Sequence, residues 1–514
     1  MRKKLLIPPL VIVFLVIASV ILGGLHNQSS TQTSSSSISS SGCPVILPAP
    51  NAASSVQQVH GSVGVPMKLD AAALFSVNES KPHSYLWSQL FANRTELDYV
   101  TSFAASMRNV TEKTTTVNFS APGNYRFQLS ISDQMNQPGG SPGKYRIDVL
   151  ATQSNVRKLE AKGVIFADVF EDLGGKNFIL GPHPEPCQTQ LFDSAMAGPS
   201  RVGAGWVGFV PAIFYMKVSP TPKFDNGTND LSLSNNTYYY ELMASAKSHG
   251  FKIVETVQAS VGPNTPANES SLLPRMENNS AWWDAWFTQW KGVLMREGVR
   301  AQKAGVDMLA ICLYCDDTFR PNAYPNYTQR WQDIISSVRQ VFKGQVAMSL
   351  IVADNRFTMY KDLDAVFMTI FPDLYTSSHP FADPNNPTVQ EITNTTARFF
   401  SYFDWMQGKI PVYIIFLSYS SVGQFHGDPP PWGNNPPPAN LTDFREQAAY
   451  YEAMLNFLKD KPWVSGFFSE RWDYFDHFVR PPTAPNSYYF DQTLGDSPRS
   501  KPAEAVVRLW FTMY

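Results

Sequence analysis

Six carboxylates fall where apolar runs give way to polar residues: Asp168, Glu255, Asp316, Asp317, Asp354 and Glu470. At the mouth of a barrel, a carboxyl group can protonate a leaving group or activate water, given a second one across the substrate. The richest stretch is 461–476, K-P-W-V-S-G-F-F-S-E-R-W-D-Y-F-D. A Pro-Trp turn opens it, an apolar run follows over 464–468, and Glu470, Arg471, Trp472 and Asp473 close it. This is the pattern of a buried parallel strand that delivers polar groups at its C-terminal end, where the active sites of (β/α)8 barrels sit. The pair to test for catalysis is Asp316 or Asp317 with Glu470, on strands facing each other across the mouth. Such a separation suits an inverting mechanism, with one acid and one water-activating base. Asp168, Glu255, Tyr314 and Trp472 are the candidates for substrate binding, Trp472 with Tyr474 as a stacking platform. For the acids the competing reading is an ion pair or loop hydrogen bond, with Arg471 or Arg356 as partner; for the aromatics it is packing.

To place those acids at one rim, the chain must supply seven earlier strands. From residue 158 on, apolar runs alternate with amphipathic helices, which is the α/β texture. Strands are expected over 163–170, 207–218, 251–259, 308–314, 346–353, 365–371 and 411–417, with the stretch after 461 as the eighth. Helices are expected over 238–249, 282–304, 327–342, 389–406 and 444–458. Eight steps in about 350 residues suit a (β/α)8 TIM barrel with long loops over 158–514.

The preceding chain has a different texture. Arg2, Lys3 and Lys4 stand before an apolar run over 5–25 that is long enough to cross a bilayer. The positive-inside rule then places the rest of the chain outside the cell, with 1–26 as an uncleaved signal anchor or, alternatively, a cleaved signal peptide. Residues 27–55 are read as a Ser/Thr-rich flexible linker. Over 56–152, short alternating strands with turns predict a β-sandwich. About a dozen N-x-Ser/Thr sequons, including Asn93, Asn109, Asn326 and Asn394, fit a glycosylated exterior surface.

Charge and cysteine content narrow the functions. The 41 Lys plus Arg against 43 Asp plus Glu give no footprint for a nucleic-acid partner. Aromatics are 13% of the chain, enough to line a carbohydrate site or simply to fill a large core. Cys312 and Cys315 lie three apart in an expected strand, so their side chains point to opposite faces, and no His cluster joins them. That argues against a metal, and no cofactor is implied. One packed and one exposed thiol, or a disulfide from Cys187 to Cys312 or Cys315, are the readings left open.

Two resemblances add to this. V-P-M-K-L-D, Y-L-W-S-Q and A-P-G-N-Y-R-F-Q-L-S-I-S-D, all within 56–152, resemble the polycystic-kidney-disease (PKD)/Ig-like repeats of surface proteins, which implies a spacer or adhesive unit. W-W-D-A-W-F-T-Q-W, R-W-Q-D-I-I-S-S-V-R-Q-V-F-K-G, F-R-E-Q-A-A-Y-Y-E-A and K-P-W-V-S-G-F-F resemble glycoside hydrolase family 113, the β-mannanase-type barrels. That resemblance implies a retaining glycosidase, with an acid/base Glu ending strand four and a nucleophilic Glu ending strand seven. Placed on this sequence, those positions fall on Tyr314 and Phe416, and no Asp or Glu occurs between Asp404 and Asp428. The expectation is therefore a cell-surface barrel that binds a polysaccharide or cell-surface glycan, or serves as an envelope component, without the family's retaining pair. The alternative is an active extracellular hydrolase with relocated acids.

Overall fold

The computed structural model describes residues 45–47, 57–75, 83–133, 143–166, 187–224, 237–260, 276, 279–313, 326–350, 359–370, 372, 381, 383, 386–420, 422, 442–474, 477–479 and 497–514. The expected anchor lies outside these residues. Among them, no helix is long and apolar enough to cross a membrane.

The first described strand, β1 (Val45–Leu47), is an apolar triplet with two β-branched residues, inside the stretch expected to be linker. It pairs antiparallel with β20 (His477–Val479), which follows the last barrel strand. Seven strands come next: β2 (Gln57–Ser62), β3 (Met67–Asp70), β4 (His83–Leu90), β5 (Ser106–Arg108), β6 (Thr114–Asn118), β7 (Gly123–Asp133) and β8 (Gly143–Thr152). They form a four-stranded sheet, β2-β8-β7-β4, and a three-stranded sheet, β3-β6-β5. β2 ends at Ser62 and β3 begins at Met67. A turn with Gly64 at φ +76° separates β2 from β3, a backbone angle that costs glycine nothing. Leu69, Val117, Tyr125, Phe127 and Val149 are wholly buried, the result of period-two alternation on strands from both sheets.

The next eight barrel strands are all present. They are β9 (Ala161–Phe166), β10 (Trp206–Phe209), β13 (Lys252–Thr256), β15 (Met308–Ala310), β16 (Gln345–Leu350), β17 (Ala365–Ile370), β18 (Val412–Phe416) and β19 (Val464–Trp472). Every neighbouring pair is parallel, and β19 closes on β9. Two of the expected runs were too long, because each changes sheet. After β10 the chain continues as β11 (Ala212–Lys217), and after β13 as β14 (Gln258–Ser260). With β12 (Lys223–Phe224), these two form a side sheet.

Helices cover the barrel. After the short α1 (Ala71–Phe75) come α2 (Cys187–Arg201), α3 (Thr237–Ser248), α4 (Ser280–Ala304), α5 (Tyr327–Val341), α6 (Val389–Phe400), α7 (Phe444–Leu458) and α8 (Pro502–Met513). The sequence expectations did not include α2 or α8. The start and stop of α4 are encoded locally. The side chain of Asn279 accepts a hydrogen bond from the Trp282 amide, and Gly305 ends the helix in the left-handed region. The aromatic stripe of α4 is core rather than a sugar platform. Trp282, Trp286 and Trp290 are almost completely buried and donate their indole N–H groups to the Val218 carbonyl, the Tyr215 hydroxyl and the Ile311 carbonyl.

Candidate active site

Each barrel strand turns alternate residues to the lumen and to the helix layer. Val254, Met308, Phe367, Ile415 and Phe468 pack together in the lumen. Ile253, Leu309, Met368, Ile414, Phe416 and Phe467 pack outward with the helices. This division decides what each candidate side chain can reach.

The eight strands carry two carboxylates, Glu255 and Glu470. Glu255 shares the face of Ile253 and is wholly buried in the helix layer. The Tyr239 hydroxyl donates to its Oε2 at 2.6 Å, and Arg300 pairs with its Oε1 and with Glu297. The guanidinium of Arg300 also sits 4.2 Å from the centre of the Tyr239 ring. Burial pushes the Glu297 carboxyl upward, against the pull of Arg300. The assignment of Glu255 to substrate binding is thus corrected: it sits behind strand three as the anchor of a buried ion cluster.

Glu470 faces the other way. It follows lumen-facing Phe468 and outward-facing Ser469, whose hydroxyl lies 2.7 Å from the Tyr451 hydroxyl. Continued past Ser469, the alternation puts Glu470 in phase with the lumen, at the C-terminal end of β19, and it is 4% exposed. The strand's regularity breaks over Glu470 and Arg471. Arg471 has φ +56°, and the pairing of β19 with β9 shifts between Ser469 and Trp472.

The shift turns Trp472 outward, where it is wholly buried, so its assignment as a sugar platform is corrected as well. It lies against α2 at Gly198, where a Cβ would come within 2.8 Å of the indole Nε1. Tyr474, its proposed companion, stacks on Phe166 with ring centres 4.4 Å apart.

Phe416 also points outward, which corrects its assignment to the nucleophile position. Its ring meets Tyr451 of α7 edge-on at 5.0 Å. Strand seven instead presents Tyr413 and Ile415 to the lumen, with Leu417 two residues further on. Strand four presents Met308, Ala310 and then Leu313. Asp168, Tyr314, Asp316, Asp317 and Asp354 lie outside the described residues.

A layer of hydroxyl groups accompanies Glu470 near the C-terminal ends of the strands. Ser349 and Thr369, on the lumen faces of β16 and β17, lie 2.9 Å apart and are wholly buried. Thr256, two residues beyond lumen-facing Val254, has a buried hydroxyl with no hydrogen-bond partner among the described residues. The sequence signal was faint: single hydroxyl residues in otherwise apolar strands, at positions in phase with the lumen. The upper lumen is therefore polar on strands three, five, six and eight and apolar on four and seven. One carboxylate there can accept or deliver a proton, but retaining hydrolysis needs a second about 5 Å away.

Cys312 is wholly buried and disulfide-bonded, so the packed-thiol reading gives way to the bridge. The side chains of the other three cysteines lie outside the described residues.

The profile of Glycoside Hydrolase Family 113 matches residues 240–491. Among solved structures, a GH113 β-1,4-mannanase is similar at 15% identity, covering 70% of this chain and 100% of that one, with TM-score 0.47. The GH113 β-mannanase of Alicyclobacillus acidocaldarius in complex with ManMIm shows 16% identity over 70% of this chain and 99% of that one, with TM-score 0.46. A β-glucuronidase from an uncultured Clostridium species shows 12% identity over 85% and 64%, with TM-score 0.42. No curated protein matches the chain. The closed parallel barrel is a (β/α)8 fold, and within it residues 240–491 are similar to glycoside hydrolase family 113.

Proposed function

We propose that this protein is a glycan-binding barrel of the cell exterior, built on a glycosidase scaffold that has lost the retaining pair. One observation carries the reading: the strands offer a single lumen-facing acid, Glu470, and strand seven offers none. Glu470 and the hydroxyls of Thr256, Ser349 and Thr369, near the C-terminal ends of four strands, are polar groups of the kind that bond sugar hydroxyl groups. The apolar run 5–25, the sequons and the PKD/Ig-like sequence pattern favour display outside the cell, and a disulfide at Cys312 suits an oxidising compartment. The names of the similar solved structures make β-1,4-mannan the first ligand to try.

A second reading has its own support. Glu470 faces the lumen, as an inverting hydrolase would require if Asp316 or Asp317 supplies the other acid. One experiment separates the two: calorimetry with β-1,4-manno-oligosaccharides alongside a reducing-end assay, on wild type and Glu470→Gln. Binding without turnover, weakened about ten-fold or more by the substitution, is expected, because a hydrogen bond to a charged group contributes about 1.5–3 kcal/mol. Turnover that Glu470→Gln abolishes would establish the hydrolase instead. Neither binding nor turnover on a broad glycan array would sink both.

A further inference from the structure

We propose that the N-terminal β unit is docked onto the barrel through a proton-sensitive contact centred on Glu452, which loosens as that carboxyl ionises. Glu452 lies on α7, between barrel strands seven and eight, and is wholly buried. The segment linking β4 to β5 closes over it. The Tyr99 hydroxyl donates to Oε1 at 2.7 Å, the Ser102 amide donates to Oε2 at 3.0 Å, and the Thr101 hydroxyl also bonds the carboxyl. That segment belongs firmly to the β unit. Asn124 of β7 donates to the Tyr99 carbonyl at 2.8 Å, and the Thr101 amide donates to the Asn124 carbonyl at 2.8 Å. A second contact marks the start of α7, where the Phe444 amide donates to the Arg94 carbonyl at 2.8 Å and Arg94 pairs with Asp443 at 3.2 Å. A flexible spacer would make no such bonds.

The electrostatics at Glu452 are unusual for a carboxylate at a domain junction. The groups acting on it are the Tyr99 phenol, the Thr101 hydroxyl and the Ser102 amide, with no cation among them. The Tyr125 phenol lies within its field. Arg126, on the same strand as Tyr125, is committed to Glu96, Asp98 and Asp148. Burial therefore outweighs the three donors and pushes the carboxyl up from 4.5 to about 7. The docked state holds the proton more tightly than the open state. Docking is then strongest below the ordinary carboxylate value and weakens as pH rises towards 7.

The test is hydrogen exchange on the full chain. Protection of the Ser102 and Phe444 amides is expressed relative to the unstructured rate at each pH. Wild type is expected to lose protection roughly a hundred-fold between pH 5 and pH 8. Glu452→Gln, which mimics the neutral acid, should keep its protection nearly constant across that range. An equal loss in Glu452→Gln, or a flat wild type, would overturn the proposal. Should that variant not fold, Tyr99→Phe takes its place. Losing a donor disfavours the ionised form and raises the docked carboxyl further, so the fall in protection should move to higher pH. A shift to lower pH, or none, defeats the idea.

Discussion

Arg300→Met is expected to lower the stability of the protein by about 3–5 kcal/mol in urea unfolding. The guanidinium is the only cation that the structure shows paired with both Glu255 and Glu297, and all three side chains are nearly or wholly buried. Two charges of one sign cannot stay ionised in that space without it. The pH dependence follows from the direction of the Glu297 shift. Its carboxyl is already raised by burial, and losing Arg300 removes the main opposing pull. A raised carboxyl favours the folded state in acid and loses that contribution as pH rises. The deficit of the variant should therefore be smallest in acid and grow towards neutral pH. Adding Glu255→Gln and Glu297→Gln to Arg300→Met should recover much of the loss, because no unpaired charge remains buried. A deficit below about 1 kcal/mol at neutral pH, within the range of an exposed pair, would mean that the cluster is solvated.

The barrel was legible because its strands and helices alternate in both composition and period. The runs expected over 251–259 and 411–417 contain β13 and β18, the first running on into the side sheet. Face assignment was harder to read. A parallel barrel strand is buried on both sides, so its sequence shows no alternation between polar and apolar residues. In V-Y-I-I-F of β18 all five residues are buried, and nothing in their chemistry says which of them meet the lumen. Only packing partners decide it, which is why Phe416 and Glu255 were placed on the wrong face. Trp472, expected as a stacking platform, turns outward for another reason: the irregular pairing at Arg471 lies beyond any periodic pattern. The pairing of β19 with β9 stays regular up to Ser469, so the period-two reading carries as far as the residue before Glu470.

The orientation of strand seven can be tested directly by substituting an acid at each candidate position. Phe416→Glu removes a ring that packs against Tyr451 and Phe467, and it places a carboxylate among apolar side chains. Losing a buried aromatic costs about 3–5 kcal/mol, and burying the new charge adds to that. The variant should unfold well before wild type in urea, or fail to accumulate as folded protein. Leu417→Glu is expected to be tolerated better. That residue lies past the last paired position of β18, in phase with the lumen-facing Ile415. Its carboxylate can reach the polar layer that holds Glu470, rather than the helix core. Neither change alone should produce retaining hydrolysis, which needs two carboxyl groups held about 5 Å apart across the sugar. A Phe416→Glu protein as stable as wild type would show that Phe416 faces the mouth.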